Sequence, residues 1–465
     1  MQEPITTEEL AGEVGRDNFE DERLNNRLRN LIGRLSVEPK LSLPRVLDSA
    51  GLEAAYRFFS NHRVTPDSIL QAHFDATRER CEVQGDFLIV HDSTKFLYRY
   101  DGEREGLGRV KRGSTNGKQA FFAHLSLAIS ADGTRRPLGI AAFKTWIRGS
   151  EKTGTEYQRW EEQIRQSSSR LSAIKSAIHV MDREADDYAM FDALLRDGHR
   201  FVARSHFDRN LETESDGIEK LRAVLSHVSA SAEREVPLTK RKRNQDPLAE
   251  KIHPARQARV AKLSIAASTV NVKKPLTAKL KDAGPPTISI NVVRVWEPNP
   301  PEGEFGVEWY LLTSEPISTV EQQLAIVDHY RARWMIEELF KAIKSGCDFE
   351  KRQLQDYEGL VNLLAVFAPI AYRMLLIRSD SRRVPHAPAT DVISSDQIDV
   401  LRARGRLKLS ANPTTREIYL AIAALGGHLK HNGDPGWSTL AHGLQKLETL
   451  TDGWLAAKLH FRRDQ

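Results

Sequence analysis

The chain has 465 residues, 68 Lys and Arg against 63 Asp and Glu, and a net charge of +5 at pH 7. It is too long for one ordinary domain and can bury a sizeable core. Its two cysteines, Cys81 and Cys347, have no disulfide or metal-site spacing, and no stretch approaches the roughly 18 apolar residues of a membrane span. Since the amino terminus is also polar, we expect a soluble, cytoplasmic protein with free thiols and no membrane contact.

Residues 1 to about 70 are predicted to be helical. Between Asp21 and Leu35, apolar side chains recur at helical spacing at Leu24, Leu28, Leu31 and Leu35. Arginines, Arg27 among them, fall on the other faces of this helix. A basic amphipathic helix can lie against DNA, although most such helices are ordinary surface helices.

Two short apolar strands are each followed by an acid. Asp92 comes just after the run Phe87–Val90, and Asp182 follows the run Ile178–Met181. In α/β sheets, strand ends that face a crevice collect ligands and catalytic groups. An aspartate in this position can equally be a simple helix cap. The sequence therefore offers two candidate acids without deciding their role.

Residues from about 210 to 318 change character and become rich in predicted β-strands. Strands are predicted at Val260–Val272, Thr287–Trp296 and Trp309–Thr313. Residues 234–282 carry 13 Lys and Arg against 4 Asp and Glu, and the densest point is Lys240–Arg243. Such a patch attracts phosphate backbones, but a solvated loop or a nuclear import signal has the same composition.

A single helix is predicted from Tyr330 to Lys344. Four side chains on it share one side because they are spaced at +3, +4 and +7: Tyr330, Arg333, Glu337 and Lys344. The opposite side carries Ile336, Leu339, Phe340 and Ile343 and can pack into a core. A carboxylate between two cations and an aromatic hydroxyl suits a metal ion beside a phosphodiester. The alternative is a helix stabilised by intrahelical ion pairs.

The last part of the chain is predicted to be mostly helical. An apolar helix at Leu360–Ile377 can complete the core, residues 379–398 are predicted to be a linker, and further helices follow to residue 465. The stretch from Ile418 to Leu425 is predicted to be a helix that ends at Gly426 and Gly427.

Asp92, Asp182 and Glu337 could together form a cluster of three carboxylates. Three ionised carboxylates need a counter-charge because like charges raise one another's pKa. Oxygen-only ligands favour Mg²⁺, with Mn²⁺ as a substitute. Two such ions, about 3.5–4 Å apart, activate the attacking oxygen and stabilise the leaving one in phosphoryl transfer. The sequence shows the acids in suitable settings but not that they meet.

These residues resemble the DDE transposases of bacterial insertion sequences, and in particular the Y-R-E-K subgroup exemplified by the transposon-five transposase. The matching stretches are in family order: His91–Thr94, Met181–Asp186, Trp309–Pro316 and Tyr330–Glu337. The resemblance implies an α/β, RNase H-like mixed sheet with a β-rich insertion. It implies a helical DNA-end-binding domain at 1–70, a catalytic domain at 71–378 with the insertion at about 210–318, and a helical dimerisation domain at 379–465.

The resemblance also implies a cut-and-paste reaction. Asp92, Asp182 and Glu337 would hold two Mg²⁺ ions, and a homodimer would cleave double-stranded DNA at transposon ends and join the 3′-hydroxyls to target DNA. Its DNA contacts would be Tyr330, Arg333, Lys344, Trp309, Arg204, Arg57 and Arg27. Taken alone, an aromatic in a strand such as Trp309 is more often part of a core. A metal-dependent nuclease and a DNA-binding regulator remain alternatives, whereas no cluster of arginines around an activated nucleophile supports a serine or tyrosine recombinase.

Overall fold

The computed structural model describes residues 7–14, 18–98, 103–109, 118–147, 156–172, 175–213, 217–241, 243, 250, 254–276 and 284–463. The chain forms two compact units. The first contains residues 1–154, 165–172 and 334–465, and the second contains residues 155–164 and 173–333. Both combine helices with β-sheet, so the protein belongs to the mixed α/β class.

The first unit contains four strands: β1 (Phe87–Tyr98), β2 (Gly108–Arg109), β3 (Gln119–Ser130) and β4 (Pro137–Trp146). β3 pairs antiparallel with each of the other three. Eleven of the twelve β3 residues are buried. Its sequence shows little alternation of apolar and polar residues because both faces of the strand are covered.

The first unit also contains α-helices. In chain order they are Thr7–Val14, Glu22–Val37, Leu43–Val46, Ser49–Phe59, Pro66–Glu82, Trp334–Lys341, Tyr357–Arg383, Ser395–Arg404, Thr415–Leu425 and Trp437–Arg463. Asp21 caps the second of these by accepting a hydrogen bond from the Arg23 N–H, at 3.0 Å. Leu28, Leu31 and Leu35 are buried, as the apolar periodicity predicts.

The carboxyl-terminal part corrects two predictions. The helix Tyr357–Arg383 is long and apolar enough to cross a membrane, so the expectation that no stretch reaches that length is wrong. The apolar window of this helix is wholly buried inside the structure, as in the core helices of many folded proteins. Residues 379–383 are helical instead of belonging to a linker. Asp380 is buried there because its carboxylate accepts a hydrogen bond from the Arg136 guanidinium at 3.0 Å.

A buried polar cluster fixes the first helix to the body of this unit. The Glu13 carboxylate contacts His73 Nδ1 at 2.6 Å and Arg80 Nη1 at 2.9 Å. The other ring nitrogen of His73 accepts the Ile140 N–H at 3.0 Å. Burial alone would raise the pKa of Glu13, but the bonds and charges of His73 and Arg80 lower it to about 2.

The second unit contains a mixed sheet. Its strands are β5 (Ala177–Met181), β6 (Arg200–Arg204), β7 (Asn210–Glu212), β8 (Ile218–Lys220), β9 (Ala232–Leu238), β10 (Arg259–Lys273), β11 (Thr287–Trp296) and β12 (Glu308–Thr313). They lie in the order β5-β6-β12-β11-β10-β7-β8, and β9 also pairs with β10. β5 and β6 are parallel and are connected by the helix Tyr188–Arg196, whereas the other pairs are antiparallel.

An apolar cluster of buried residues lies in the core of the second unit. It includes Trp160, Phe191 and Phe201, and the rings of Phe191 and Phe201 stack at 5.4 Å between centroids. In the described part of this unit, further helices are Leu221–Ser226 and Val320–Ala332, together with residues 156–164 of the helix Glu156–Arg170. The predicted β-rich character of residues 210–318 is confirmed by the strands β7 to β12.

Candidate active site

Asp92 lies inside a strand of the first unit. The prediction that it follows the end of a strand is wrong, because β1 continues to Tyr98 and Asp92 pairs with Leu125 of β3. The polar residues after Val90 do not end the strand, since its backbone pairing with β3 continues for eight more residues. Asp92 is half-buried, and its Oδ1 accepts the Ser93 N–H at 2.8 Å.

Asp182 directly follows β5 in the second unit, as predicted. Its Oδ1 accepts the Glu184 N–H at 2.8 Å, so the side chain caps the short 3₁₀ turn Arg183–Ala185. The carboxylate is half-buried. Capping is therefore one role of this residue, and a carboxylate has further acceptor positions available for a metal ion.

Asp186 organises the segment after this turn. One of its oxygens accepts the N–H groups of His206 and Phe207, at 2.6 and 2.9 Å, and the Ser205 hydroxyl at 3.2 Å. The other accepts two hydrogen bonds from the Arg209 guanidinium. The Asp186 side chain is fully buried and that of Arg209 is 5% exposed. The turn that carries Asp182 is thus tied to the loop that follows β6.

Neither Arg209 nor the role of Asp186 was predicted from the sequence. An acid four residues after a strand-end aspartate is a weak signal, because its partners lie about twenty residues further along the chain. Phe207, held by this clamp, keeps 56% of its surface exposed.

Glu337 lies on the helix Trp334–Lys341 of the first unit. The prediction of one regular helix from Tyr330 to Lys344 is wrong. One helix ends at Ala332, the next begins at Trp334, and residues Ala342–Gly346 form a π-helical turn. The wider π turn rotates the later residues, so a +7 spacing no longer guarantees a shared face. The predicted burial of Ile336, Leu339, Phe340 and Ile343 is confirmed.

Lys344 connects this segment to the strand that carries Asp92. Its ammonium donates to Thr94 Oγ1 and to the Lys95 carbonyl, both at 2.8 Å, and lies 5.3 Å from the centre of the Phe96 ring. Asp92 and Thr94 are two residues apart in β1 and therefore point to the same face. Within the first unit, the helix of Glu337 also packs against β1. Burial lowers the pKa of Lys344.

Three of the predicted DNA contacts lie together in the second unit. The Trp309 ring meets the Tyr330 ring edge to face, with centroids 5.4 Å apart. Arg204 ends β6 beside β12, and its guanidinium donates to the Glu308 carbonyl at 3.4 Å. Trp309 and Arg204 are half-buried, whereas Tyr330 is 8% exposed.

The remaining predicted contacts are spread over both units. Arg333, half-buried, follows the helix Val320–Ala332 in the second unit. Arg57 is exposed on the helix Ser49–Phe59 and pairs with Glu53 one turn earlier. Arg27 is half-exposed on the helix Glu22–Val37.

The three acids suit a magnesium site by chemistry, since all are half-buried carboxylates that solvent can reach. Asp92 and Glu337 belong to the first unit and Asp182 to the second. In the part of the chain that the structure describes, no group of three or more His, Cys, Asp or Glu side chains is arranged to hold a metal ion. The convergence of the three acids therefore stays a prediction.

Two stretches of this chain match known protein families. Residues 8–64 match the family described as transposase DNA-binding, and residues 85–368 match the transposase DDE domain. The second match spans more than half of the chain. This protein belongs to the DDE transposase family.

A solved structure with some similarity to this DDE transposase is the cryo-EM structure of a piggyBac transposase synaptic complex with hairpin DNA. The identity is 11% and the TM-score is 0.29. The match covers 81% of this chain and 66% of that chain. Asp92, Asp182 and Glu337 all fall inside the DDE match.

Proposed function

We propose that this chain is a cut-and-paste DNA transposase of the Y-R-E-K subgroup. It would bind inverted-repeat ends through residues 8–64, cleave them with an RNase H-like domain, and join the freed 3′-hydroxyls to target DNA. The observation that carries the proposal is the attachment of the Glu337 segment to β1. The Lys344 ammonium donates a hydrogen bond to Thr94, two residues after Asp92 in β1. Two of the three candidate acids, Asp92 and Glu337, therefore lie on elements that pack against each other.

In this proposal Asp92, Asp182 and Glu337 would hold two Mg²⁺ ions, which supply Lewis-acid activation of the attacking and leaving oxygens when bound. Water attacks the phosphorus at the transposon end, the bond from phosphorus to the 3′ oxygen breaks, and a 3′-hydroxyl and a 5′-phosphate remain. That hydroxyl is the nucleophile of the joining step, so no covalent protein–DNA intermediate is needed.

The chain's own cations and aromatics would hold the substrate. Arg333 and Arg204 offer planar donors that match phosphate oxygens. Lys344 already donates twice to β1, so one of its three N–H donors would serve a phosphate while the other two keep it in place. Trp309, braced edge-on by Tyr330, presents a ring on which an unstacked base could pack.

The partners in this proposal are double-stranded DNA, both as transposon ends and as target, and a second copy of the chain. Two ends must be cut and joined together, so a homodimer would form the synaptic complex. The helices after residue 379 would supply the dimer contacts.

Glu337→Gln tests the assignment of the third acid. The substitution removes the charge but keeps the size of the side chain, so the variant should bind transposon-end DNA as the wild type does and lose Mg²⁺-dependent nicking by at least about a hundredfold. Binding is measured by gel shift and nicking on labelled duplex. If Glu337→Gln nicked DNA at the wild-type rate, the third acid would be wrongly assigned.

The matched control is Glu338→Gln, the adjacent acid on the same helix. Its carboxylate pairs with Lys341 and Arg378. This variant should keep nicking activity, and thermal unfolding shows whether it remains folded. A strand-transfer assay separates the two enzyme classes, because a nuclease cuts the ends without joining them to target DNA.

A further inference from the structure

Four cations line an open groove in the second unit. Lys240, Arg241 and Arg243 follow the end of β9, and Arg256 precedes the start of β10. We call these four residues the basic groove. The groove is bordered by the acid Glu304 and has a volume of about 410 Å³. One water occupies roughly 30 Å³, so there is room for a phosphate group with its ester oxygens.

Two of these arginines lie directly opposite each other. Arg241 and Arg256 form an antiparallel bridge, in which each backbone N–H donates to the other's carbonyl, at 2.9 and 3.1 Å. Like charges directly opposite one another across a strand pair are destabilising. Burial lowers the pKa of Arg256, and the positive charges of Arg241 and Arg259 lower it further, although the negative charges of Glu304 and Glu297 act in the opposite direction. The fold therefore accepts a repulsive arrangement that an anion would relieve.

The acid beside the groove is already engaged by another cation. Glu304 Oε2 accepts the Arg259 Nε–H at 2.8 Å, and Glu304 Oε1 accepts the Gln257 N–H at 3.4 Å. Among the described residues that line the groove, Glu304 is the only acid. The four cations of the groove thus outnumber the negative charge available to them, and the excess favours binding of anions.

We propose that the basic groove binds phosphate groups of a nucleic-acid backbone. Lys240 and Arg243 are exposed and Arg241 is half-buried, so the open groove presents its charges to solvent instead of enclosing a single anion. This inference rests on the proposed function, under which the anions that reach the groove are the phosphodiester groups of DNA. This contact would add affinity without reading sequence.

The test compares two double variants of the full chain. Arg241→Gln with Arg256→Gln removes two charges from the groove. The control, Lys262→Gln with Lys273→Gln, removes two charges from β10, where each lysine pairs with a glutamate. Binding to a duplex of unrelated sequence is measured by fluorescence anisotropy over a series of salt concentrations. The groove variant should bind several times more weakly, and its slope of log affinity against log salt should fall by about 1.8, while the control keeps the wild-type slope.

Three other results would contradict the proposal. If the groove variant kept the wild-type affinity and slope for the duplex, or if both variants lost them equally, the basic groove would not be a site for a nucleic-acid backbone. A second measurement titrates inorganic phosphate into the wild type and the groove variant by calorimetry. Phosphate binding that only the wild type shows, with unchanged duplex binding in the variant, would assign the groove to free phosphate and overturn the proposal. A wild-type chain that bound neither this duplex nor transposon-end DNA would overturn the proposed function as well.

Discussion

Replacing Asp186 with Asn should open the loop after β6. The carboxylate serves two sets of donors at once, the Arg209 guanidinium on one oxygen and the N–H groups of His206 and Phe207 on the other. An amide has a single acceptor oxygen, so Asn can satisfy only one of the two sets. Arg209 has a 5% exposed side chain, and its charge would then be buried without a full counter-charge.

The expected free-energy cost of this substitution follows from the burial of Arg209. Removing one partner of a buried ion pair costs about 3–5 kcal/mol. We expect about 3 kcal/mol for Asp186→Asn because the amide retains part of the hydrogen bonding. At about 1.4 kcal/mol per tenfold change, this corresponds to a rise of roughly a hundredfold in the opening equilibrium of the loop.

Hydrogen exchange measures this local opening directly, without assuming that a chain of 465 residues unfolds in one step. Exchange of the His206 and Phe207 amides is followed by mass spectrometry on peptides that cover them. The control is Asp192→Asn, whose ion pair with Arg196 is largely exposed on the arginine side and should be worth no more than about 0.5 kcal/mol. Exchange in Asp186→Asn no faster than in the control would refute the reasoning.

Three further predictions concern stability. Burial raises the pKa of Asp380 to about 6, so the stability that this residue contributes is present below about pH 3.8 and is lost as the pH rises through 6. Thermal unfolding should show this loss of unfolding free energy, up to about 1.4 kcal/mol per pH unit, in the wild type and not in Asp380→Asn. Glu13→Gln should lower the free energy of unfolding by about 2 kcal/mol near neutral pH, because it weakens a charged hydrogen bond to buried His73. The difference in melting temperature between this variant and the wild type should shrink as the pH falls below about 4.5. Gly139→Ala should lower the free energy of unfolding by about 1–3 kcal/mol, and with it the melting temperature, because the added carbon would lie 2.0 Å from the Thr77 hydroxyl and the backbone φ is +148°. An unchanged melting temperature would contradict the close contact of β4 with the helix Pro66–Glu82.

Elements with strong local patterns could be predicted from the sequence. β11 occupies the predicted range Thr287–Trp296, and β5 ends where predicted, just before Asp182. β11 mostly alternates apolar with polar residues, and its Ile and Val residues are buried; β5 is a short apolar run interrupted only by His179, and all of it is buried. The local pattern and the buried environment therefore agree. The apolar side of the Glu337 helix was likewise predicted correctly, because burial follows helical periodicity.

Features that depend on distant partners could not be predicted. β1 continues through its polar residues because β3 pairs with them, and residues 379–383 stay helical while Arg136 neutralises buried Asp380. The break at Arg333 and the π turn after Lys341 are also absent from the sequence pattern. In β1 and at Asp380, polar residues that locally resemble a strand end or a linker are satisfied by groups far away in the chain.

The sequence by itself determined which side chains are available for chemistry: two acids that follow apolar runs, a third on an amphipathic helix, a basic β-rich stretch and helical flanks are all read from residue types and spacing. Only the tertiary structure decided that Lys344 is bonded to the strand of Asp92, that Asp186 clamps the turn of Asp182 to the loop after β6, and that Arg256 faces Arg241. The physical reason is that residue type and local period fix which side chains are available. Their hydrogen bonds and ion pairs depend on which distant segments the folded backbone brings within about 3 Å.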